Sequence, residues 1–160
     1  MARFHGDNRM TNAQQPLTTT FKTQIQVWSA TATLCRGRAV ALQFGADGPP
    51  TATDCQIVYN VQRATADGTS TAFTPNQINP ADVASRMVCH NAYTAEGTYT
   101  LPIFSRSLNQ RASQQWAAQD PVPMRASAAT NLVGLALLAL SPTYISSGAN
   151  VLFGMEWDEL

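Results

Sequence analysis

The sequence predicts a mainly β protein, an antiparallel β-sandwich or jelly-roll-like barrel with one short helix. Two observations lead to this class. About eight short segments alternate apolar and polar residues with a period of two, and turn-forming residues separate most of them. No repeat of about 20–50 residues occurs, which argues against solenoids and propellers. A chain of 160 residues suits one domain with a real hydrophobic core.

The predicted strands extend from residue 21 to residue 157. The apolar phase of the first strand consists of Phe21, Thr23, Ile25 and Val27. The other predicted strands span 40–44, 55–61, 70–74, 98–105, 112–117, 131–140 and 149–157. Pro102 lies out of phase with its apolar neighbours and predicts that its strand is at a sheet edge.

One of these strands has an alternative interpretation. The segment 131–140 is almost uniformly apolar, which is typical of a buried strand and equally of a buried helix. Gly134 inside the segment and Pro142 after it favour the strand. Asp67-Gly68 lies between Thr-rich flanks and predicts a hairpin turn, with 70–74 as the returning strand.

The sequence also predicts one short helix, over about residues 80–88. Asn79 supplies an N-cap, Pro80 occupies the first helical position and Asp82 adds a carboxylate near the N-terminus. Residues 1–19 show no apolar period, and we predict a flexible N-terminal arm there. The remaining residues, 20–160, are then a single β-sandwich domain.

The amino-acid composition limits the classes of partner that this chain is expected to bind. Charged residues are only 12% of the chain, against about 25% in average proteins, and the formal net charge is zero. With no basic field, nucleic-acid binding is not expected. The longest apolar run, 132–140, is shorter than the roughly 20 residues that span a bilayer, and no apolar stretch typical of a secretory signal opens the chain, so no membrane partner is expected either.

The chain has nine Arg but only one Lys, Lys22. Low charge and scarce Lys are typical of protein interfaces, although a biased genome composition explains the pattern equally well. Trp28 falls on the polar phase of its strand, so we expect it to be exposed at an interface.

No residue set indicates catalysis, a metal or a cofactor. Cys35, Cys55 and Cys89 form no C-x-x-C pair, and we expect three reduced, structural thiols; a single Cys35–Cys55 bridge is the alternative. His5 lies in the predicted arm. His90 follows Cys89, and adjacent side chains tend to point apart, so a nucleophile–base couple is not expected. We therefore expect no enzymatic activity.

Four motifs resemble those of small structural proteins encoded by tailed bacteriophages and prophages. They are RATADGTSTAFTP at 63–75, NPADVAS at 79–85, YTAEGTYT at 93–100 and SLNQRA at 107–112 followed by Trp116. The resemblance covers roughly residues 57–158. It implies a virion protein without catalytic residues, made in the host cytoplasm and located on the capsid surface.

The resemblance and the plain β pattern together favour a cement or decoration protein that stabilises a capsid lattice. Its expected partners are the major capsid protein and copies of itself, in a homotrimer or another cyclic oligomer. The candidate interface residues are Trp28 and four arginines that could bind capsid carboxylates, Arg9, Arg36, Arg38 and Arg111.

Two other functions are alternatives. A tail, neck or receptor-binding virion component of β-sandwich type would need exposed aromatic rings in a cleft. A small lyase or hydrolase would need polar groups that converge on His90.

Overall fold

The structure, a computed structural model, describes residues 1–11, 14–29, 34–47, 53–126, 134–141 and 150–160. Within these ranges the chain forms eleven strands. They are β1 (Ala2–Asp7), β2 (Lys22–Ser29), β3 (Cys35–Asp47), β4 (Gln56–Ala66), β5 (Thr69–Phe73), β6 (Asn76–Gln77), β7 (Met87–Ala95), β8 (Thr98–Asn109), β9 (Ser113–Ala126), β10 (Gly134–Leu140) and β11 (Asn150–Glu159).

The strands form two antiparallel sheets that pack together, which confirms the predicted β-sandwich. Sheet A has the order β6-β1-β11-β3-β9, and sheet B has the order β5-β7-β2-β10-β4-β8. The β8 strand that contains Pro102 is at an edge, as predicted, and 134–140 is a buried strand. The rest of that predicted segment, 131–133, lies outside the described residues.

The main core lies between the two sheets. Phe44 and Phe153 of sheet A pack against Tyr59 of sheet B, with ring centroids 5.1–5.4 Å apart. The Tyr59 hydroxyl donates to the Gly45 carbonyl oxygen across the core at 2.9 Å. Because this hydroxyl is the polar tip of a fully buried side chain, its bond fixes how the sheets face each other.

The prediction of a flexible arm is wrong for the first residues, because Ala2–Asp7 form β1 inside sheet A. This strand pairs with β11 along its whole length, and Phe4 is fully buried. The inward position after Phe4 is Gly6, where an added Cβ would lie 2.5 Å from the Cys89 sulfur. A glycine on the buried face removes the apolar alternation from the sequence, although the position itself is tightly packed.

The predicted helix over 80–88 is also wrong. Asn79 caps a turn instead, since its Oδ1 accepts from the Ala81 N–H at 3.1 Å and its carbonyl accepts from the Asp82 N–H at 3.0 Å. From Met87 the chain continues as β7, whose Met87 and Cys89 side chains enter the core. The capping signal was local, and burial of these two side chains decided the outcome in favour of a strand.

Sheet B curls strongly. Two-residue links at 67–68 and 96–97 join β4 to β5 and β7 to β8, and each pair of strands is four places apart in the sheet. A flat sheet would separate them by about 19 Å, whereas such a link reaches about 11 Å. The predicted hairpin at Asp67-Gly68 is therefore wrong, because β4 and β5 do not pair.

The curl buries the face of sheet B that is turned away from sheet A. Trp28 packs there with Ala64, Ala136 and Leu138 in a second apolar cluster. Trp28 is only 8% exposed, so its predicted exposure at an interface is wrong. A register shift between β2 and β10 also places Thr23 on this face, separating it from Ile25.

The cysteines agree with the prediction of structural thiols, since Cys35, Cys55 and Cys89 are all free and buried. Burial raises the pKa of the Cys89 thiol far above its usual value, so this thiol stays protonated. In the ranges that the structure covers, no helix has the length and apolarity needed to cross a membrane.

Candidate functional site

A set of polar side chains, here called the polar cluster, lies where the two short links of sheet B pass against each other. The Asp67 Oδ2 atom is 3.1 Å from Nδ1 of His90, and Ser70 Oγ is 3.0 Å from the same nitrogen. The Tyr93 hydroxyl is 3.0 Å from Asp67 Oδ1 and 3.0 Å from Gln26 Oε1. The sequence singled out His90 but missed these partners, because they come from separate parts of the chain.

The other half of the polar cluster holds the 96–97 link. Thr23 Oγ1 bonds the Glu96 carboxylate and lies 2.6 Å from the Tyr99 hydroxyl. The Gly97 N–H donates to the same hydroxyl at 3.0 Å. Lys22 Nζ is 3.7 Å from Glu96 Oε1. Each link therefore has a carboxylate that is bound by side chains of the neighbouring strands.

The electrostatics of the polar cluster favour a charged Asp67. Burial by itself raises the pKa of this carboxyl, but hydrogen bonds from His90, Tyr93 and the Gly68 N–H outweigh it, and the pKa lies below its usual value. Burial also raises the pKa of Tyr93 far above its usual value, so the phenol stays protonated and donates.

This geometry does not form a serine–histidine–carboxylate relay. Such a relay needs the nucleophile and the carboxylate on opposite ring nitrogens. Here Ser70 and Asp67 both contact Nδ1 of His90, and within the described ranges the buried Nε2 atom has no hydrogen-bond partner. The contacts instead tie β5 and β7 to the 67–68 link and stabilise the curl.

Two of the predicted interface arginines lie together on the outer face of sheet A. Arg36 and Arg38 alternate along β3 with residues that face the core, and the Arg36 side chain is exposed. Arg38 Nε is 3.4 Å from Asp158 Oδ2, and Arg3 Nε is 2.7 Å from Asp158 Oδ1. The Arg3 hydrogen bond in particular lowers the pKa of the Asp158 carboxyl.

The other two predicted arginines lie elsewhere. Arg9 Nε is 3.4 Å from Asp47 Oδ2, near the opposite end of β3. Arg111 Nε is 2.7 Å from Asp54 Oδ1, beside the turn that joins β8 to β9. The fold therefore brings Arg36 and Arg38 together and leaves Arg9 and Arg111 apart from them.

A gap between edge strands β8 and β9 opens into the core; we call it the mouth. Towards the β8–β9 turn it is bridged by Phe104 and Trp116, whose ring centroids are 5.1 Å apart. At the other rim Arg63 Nη1 donates to the Pro123 carbonyl oxygen at 3.1 Å. The cavity inside has about 130 Å³ and is lined by Ala39, Leu42, Val61, Ile103, Phe104, Trp116, Asp120, Val122 and Leu135.

The mouth exposes apolar surface because of a register shift in β8. Val61 pairs with Phe104 but Gln62 pairs with Pro102, so Ile103 is an extra residue that turns towards the gap. Its side chain is 42% exposed. The predicted strand 98–105 contains Ile103, but a regular period of two could not show this shift.

A second exposed apolar surface lies at the start of β1 and the end of β11. Met1, Val83 and Leu160 are 64–76% exposed. With Ala2, Arg86 and Glu159 they line a concavity of about 480 Å³. We call Met1, Val83, Arg86 and Leu160 the terminal patch.

Comparison of the chain with models of protein families, with curated proteins and with solved structures finds no match. Across the part of the chain that the structure describes, no three His, Cys, Asp or Glu side chains gather in a way that could hold a metal ion. Three surfaces of the described residues are candidates for contact with a partner: the mouth, the terminal patch and the outer face of sheet A around Arg36 and Arg38, which we call the arginine face.

Proposed function

We propose that this chain is a structural virion protein that binds the outside of a phage capsid lattice and stabilises it, as a cement or decoration protein. The observation that carries the proposal is the concentration of exposed large apolar side chains at two edges of a hydrogen-bonded β framework. Exposed apolar patches on a rigid backbone are typical of surfaces that bind protein. The resemblance to tailed-phage structural proteins supplies the virion setting.

The outer face of sheet A supports a capsid partner in particular. Arg36 is exposed beside Arg38 and Arg3, and guanidinium groups bind carboxylates in a two-pronged geometry. The Asp158 carboxylate, which is 3% exposed, holds Arg3 and Arg38 in place across β1, β11 and β3. A rigid row of guanidinium groups fits acidic residues on a capsid surface.

The test is co-sedimentation with expanded capsids assembled from a tailed-phage major capsid protein. We expect saturable binding to the shell, and weaker binding by the Arg36→Glu variant. Gln56→Asp, which also adds negative charge but lies on β4 of sheet B, serves as the matched control.

The wild-type result decides between the virion roles. Binding to heads, with higher resistance of the heads to heating, supports the cement function. Binding to tails or necks alone, or hits on a glycan array, would replace it with the tail or receptor-binding role. Equal binding by Arg36→Glu and Gln56→Asp would show that the arginine face does not bind the capsid.

A further inference from the structure

The mouth and the terminal patch are separate surfaces of one hydrogen-bonded framework. The mouth lies between the edge strands β8 and β9. The terminal patch lies at the start of β1, at the end of β11 and on the loop that precedes β7. Because the two surfaces share no residue and each is held by its own strands, one can dock against the other only between two copies.

The loop of the terminal patch is fixed, although its apolar tip is exposed. The Glu159 carboxylate accepts from the Arg86 N–H at 2.9 Å, from the Met87 N–H at 3.3 Å and from Ser85 Oγ. Val83 nevertheless has 76% of its surface exposed. A pre-ordered backbone loses little entropy when its exposed side chain binds.

The mouth has the size and polarity to receive such a side chain. Its cavity of about 130 Å³ is lined mainly by apolar groups, and an apolar cavity of about 150 Å³ can hold a benzene-sized group. Strand addition is less favourable there, because Pro102 interrupts β8, Pro121 and Pro123 interrupt β9, and both strands carry register shifts.

Each surface carries one charge of each sign, Asp120 and Arg63 at the mouth and Arg86 and Glu159 at the terminal patch, so the two can meet with Arg86 opposite Asp120. Asp120 is exposed at the mouth, where Arg63 at the rim bonds the Pro123 carbonyl oxygen. Arg86 is exposed on the terminal patch, where Glu159 already accepts hydrogen bonds from the loop. An apolar contact flanked by an Arg–Asp pair is complementary in shape and in charge.

We propose that the terminal patch of one copy docks in the mouth of the next, with Val83 entering the cavity and Arg86 pairing with Asp120. The inference deepens the proposed function, on which it rests for its biological setting. Because the two surfaces differ, the contact is head-to-tail, and it produces a ring when the rotation closes. The occupant of the mouth is thus a second copy of this chain.

The experiment is analytical ultracentrifugation of the full chain at concentrations up to about 1 mM. We expect self-association that Val83→Asp and Ile103→Asp each weaken by about tenfold or more. Gln56→Asp is the matched control and should associate like the wild type. If an aspartate variant unfolds, Val83→Ala and Ile103→Ser replace it.

A charge exchange tests the pairing itself. Arg86→Glu alone and Asp120→Arg alone should each weaken association about tenfold, and the double variant should recover to within about threefold of the wild type. A double variant no better than either single variant would refute the Arg86–Asp120 contact. A wild-type chain that stays monomeric throughout would refute head-to-tail docking.

The outcome is separable from that of the capsid experiment. A monomeric chain that binds capsids through Arg36 overturns this inference and keeps the proposed function. A chain that associates through Val83 and Ile103 but binds no capsid keeps this inference and overturns the proposed function.

Discussion

The polar cluster and the mouth each combine a carboxylate with aromatic rings. In the polar cluster the chain supplies hydrogen-bond donors to the carboxylate, whereas at the mouth the carboxylate stays exposed. Asp67 has hydrogen-bond donors from three side chains and a backbone N–H, whereas Asp120 is exposed beside an apolar cavity. In the first region the two short links bring the partners together. In the second, register shifts and prolines hold the edges apart. The contrast indicates that the curl stabilises the fold, and it leaves the mouth open for the docking proposed above.

The largest effect is expected where the two links touch. An added Cβ at Gly68 would lie 1.9 Å from the Ala95 carbonyl oxygen, which is backbone and cannot yield cheaply. We expect Gly68→Ala to lower the free energy of unfolding by about 3 kcal/mol, measured by urea denaturation. Gly45→Ala is the control, because its Cβ would make an ordinary contact at 3.4 Å. Equal losses in both variants would contradict the tight contact of the links.

A smaller effect is expected from the carboxylate of the polar cluster. Asp67→Asn removes the charge that His90 and Tyr93 stabilise, and should cost about 1–2 kcal/mol at neutral pH. Because the folded pKa of Asp67 is lowered, its stabilisation is complete above the ordinary carboxyl pKa and is lost as the pH falls through the folded value.

The difference between wild type and Asp67→Asn should therefore shrink as the pH falls below about pH 4. Urea midpoints measured above and below this pH give the comparison. Asp82→Asn, in the turn before β7, should match the wild type to within about 0.5 kcal/mol. A difference for Asp67→Asn that is independent of pH would mean that its charge contributes nothing.

The smallest effect has the opposite sign. Ala39→Val places two more methyl groups against the cavity of the mouth and should raise the free energy of unfolding by about 0.5–1 kcal/mol. Ala41→Val, on the same strand but away from the cavity, is the control. Thermal unfolding separates the two variants. Destabilisation by Ala39→Val alone would show that the cavity is smaller than the structure indicates.

Local sequence patterns predicted the strands that are buried on one whole face or on both faces. The alternation before Trp157 produced β11, and the apolar run after Gly134 produced β10, because a strand buried on one or both faces must show that burial in its composition. The patterns failed at β1 and β7. Gly6 removes an inward side chain from β1, and the Asn79 cap begins a turn where a helix could equally have started.

The sequence could not predict the candidate sites for a different reason. His90 meets Asp67 only because sheet B curls, and Ile103 faces the mouth only because of one register shift. Neither event leaves a local signal, since each depends on strands far apart along the chain. Arg36 and Arg38 share one face because β3 begins at Cys35 and a strand has a period of two, whereas the predicted strand began only at residue 40.

The amino-acid order alone determined a β-sandwich with structural thiols and little charge, since side-chain alternation and composition act over a few neighbouring residues. Tertiary structure alone decided that the first strand enters sheet A, that Trp28 is covered and that one edge stays open. Those outcomes depend on which strands become neighbours, and strand pairing is set by the free energy of the whole core rather than by any single segment.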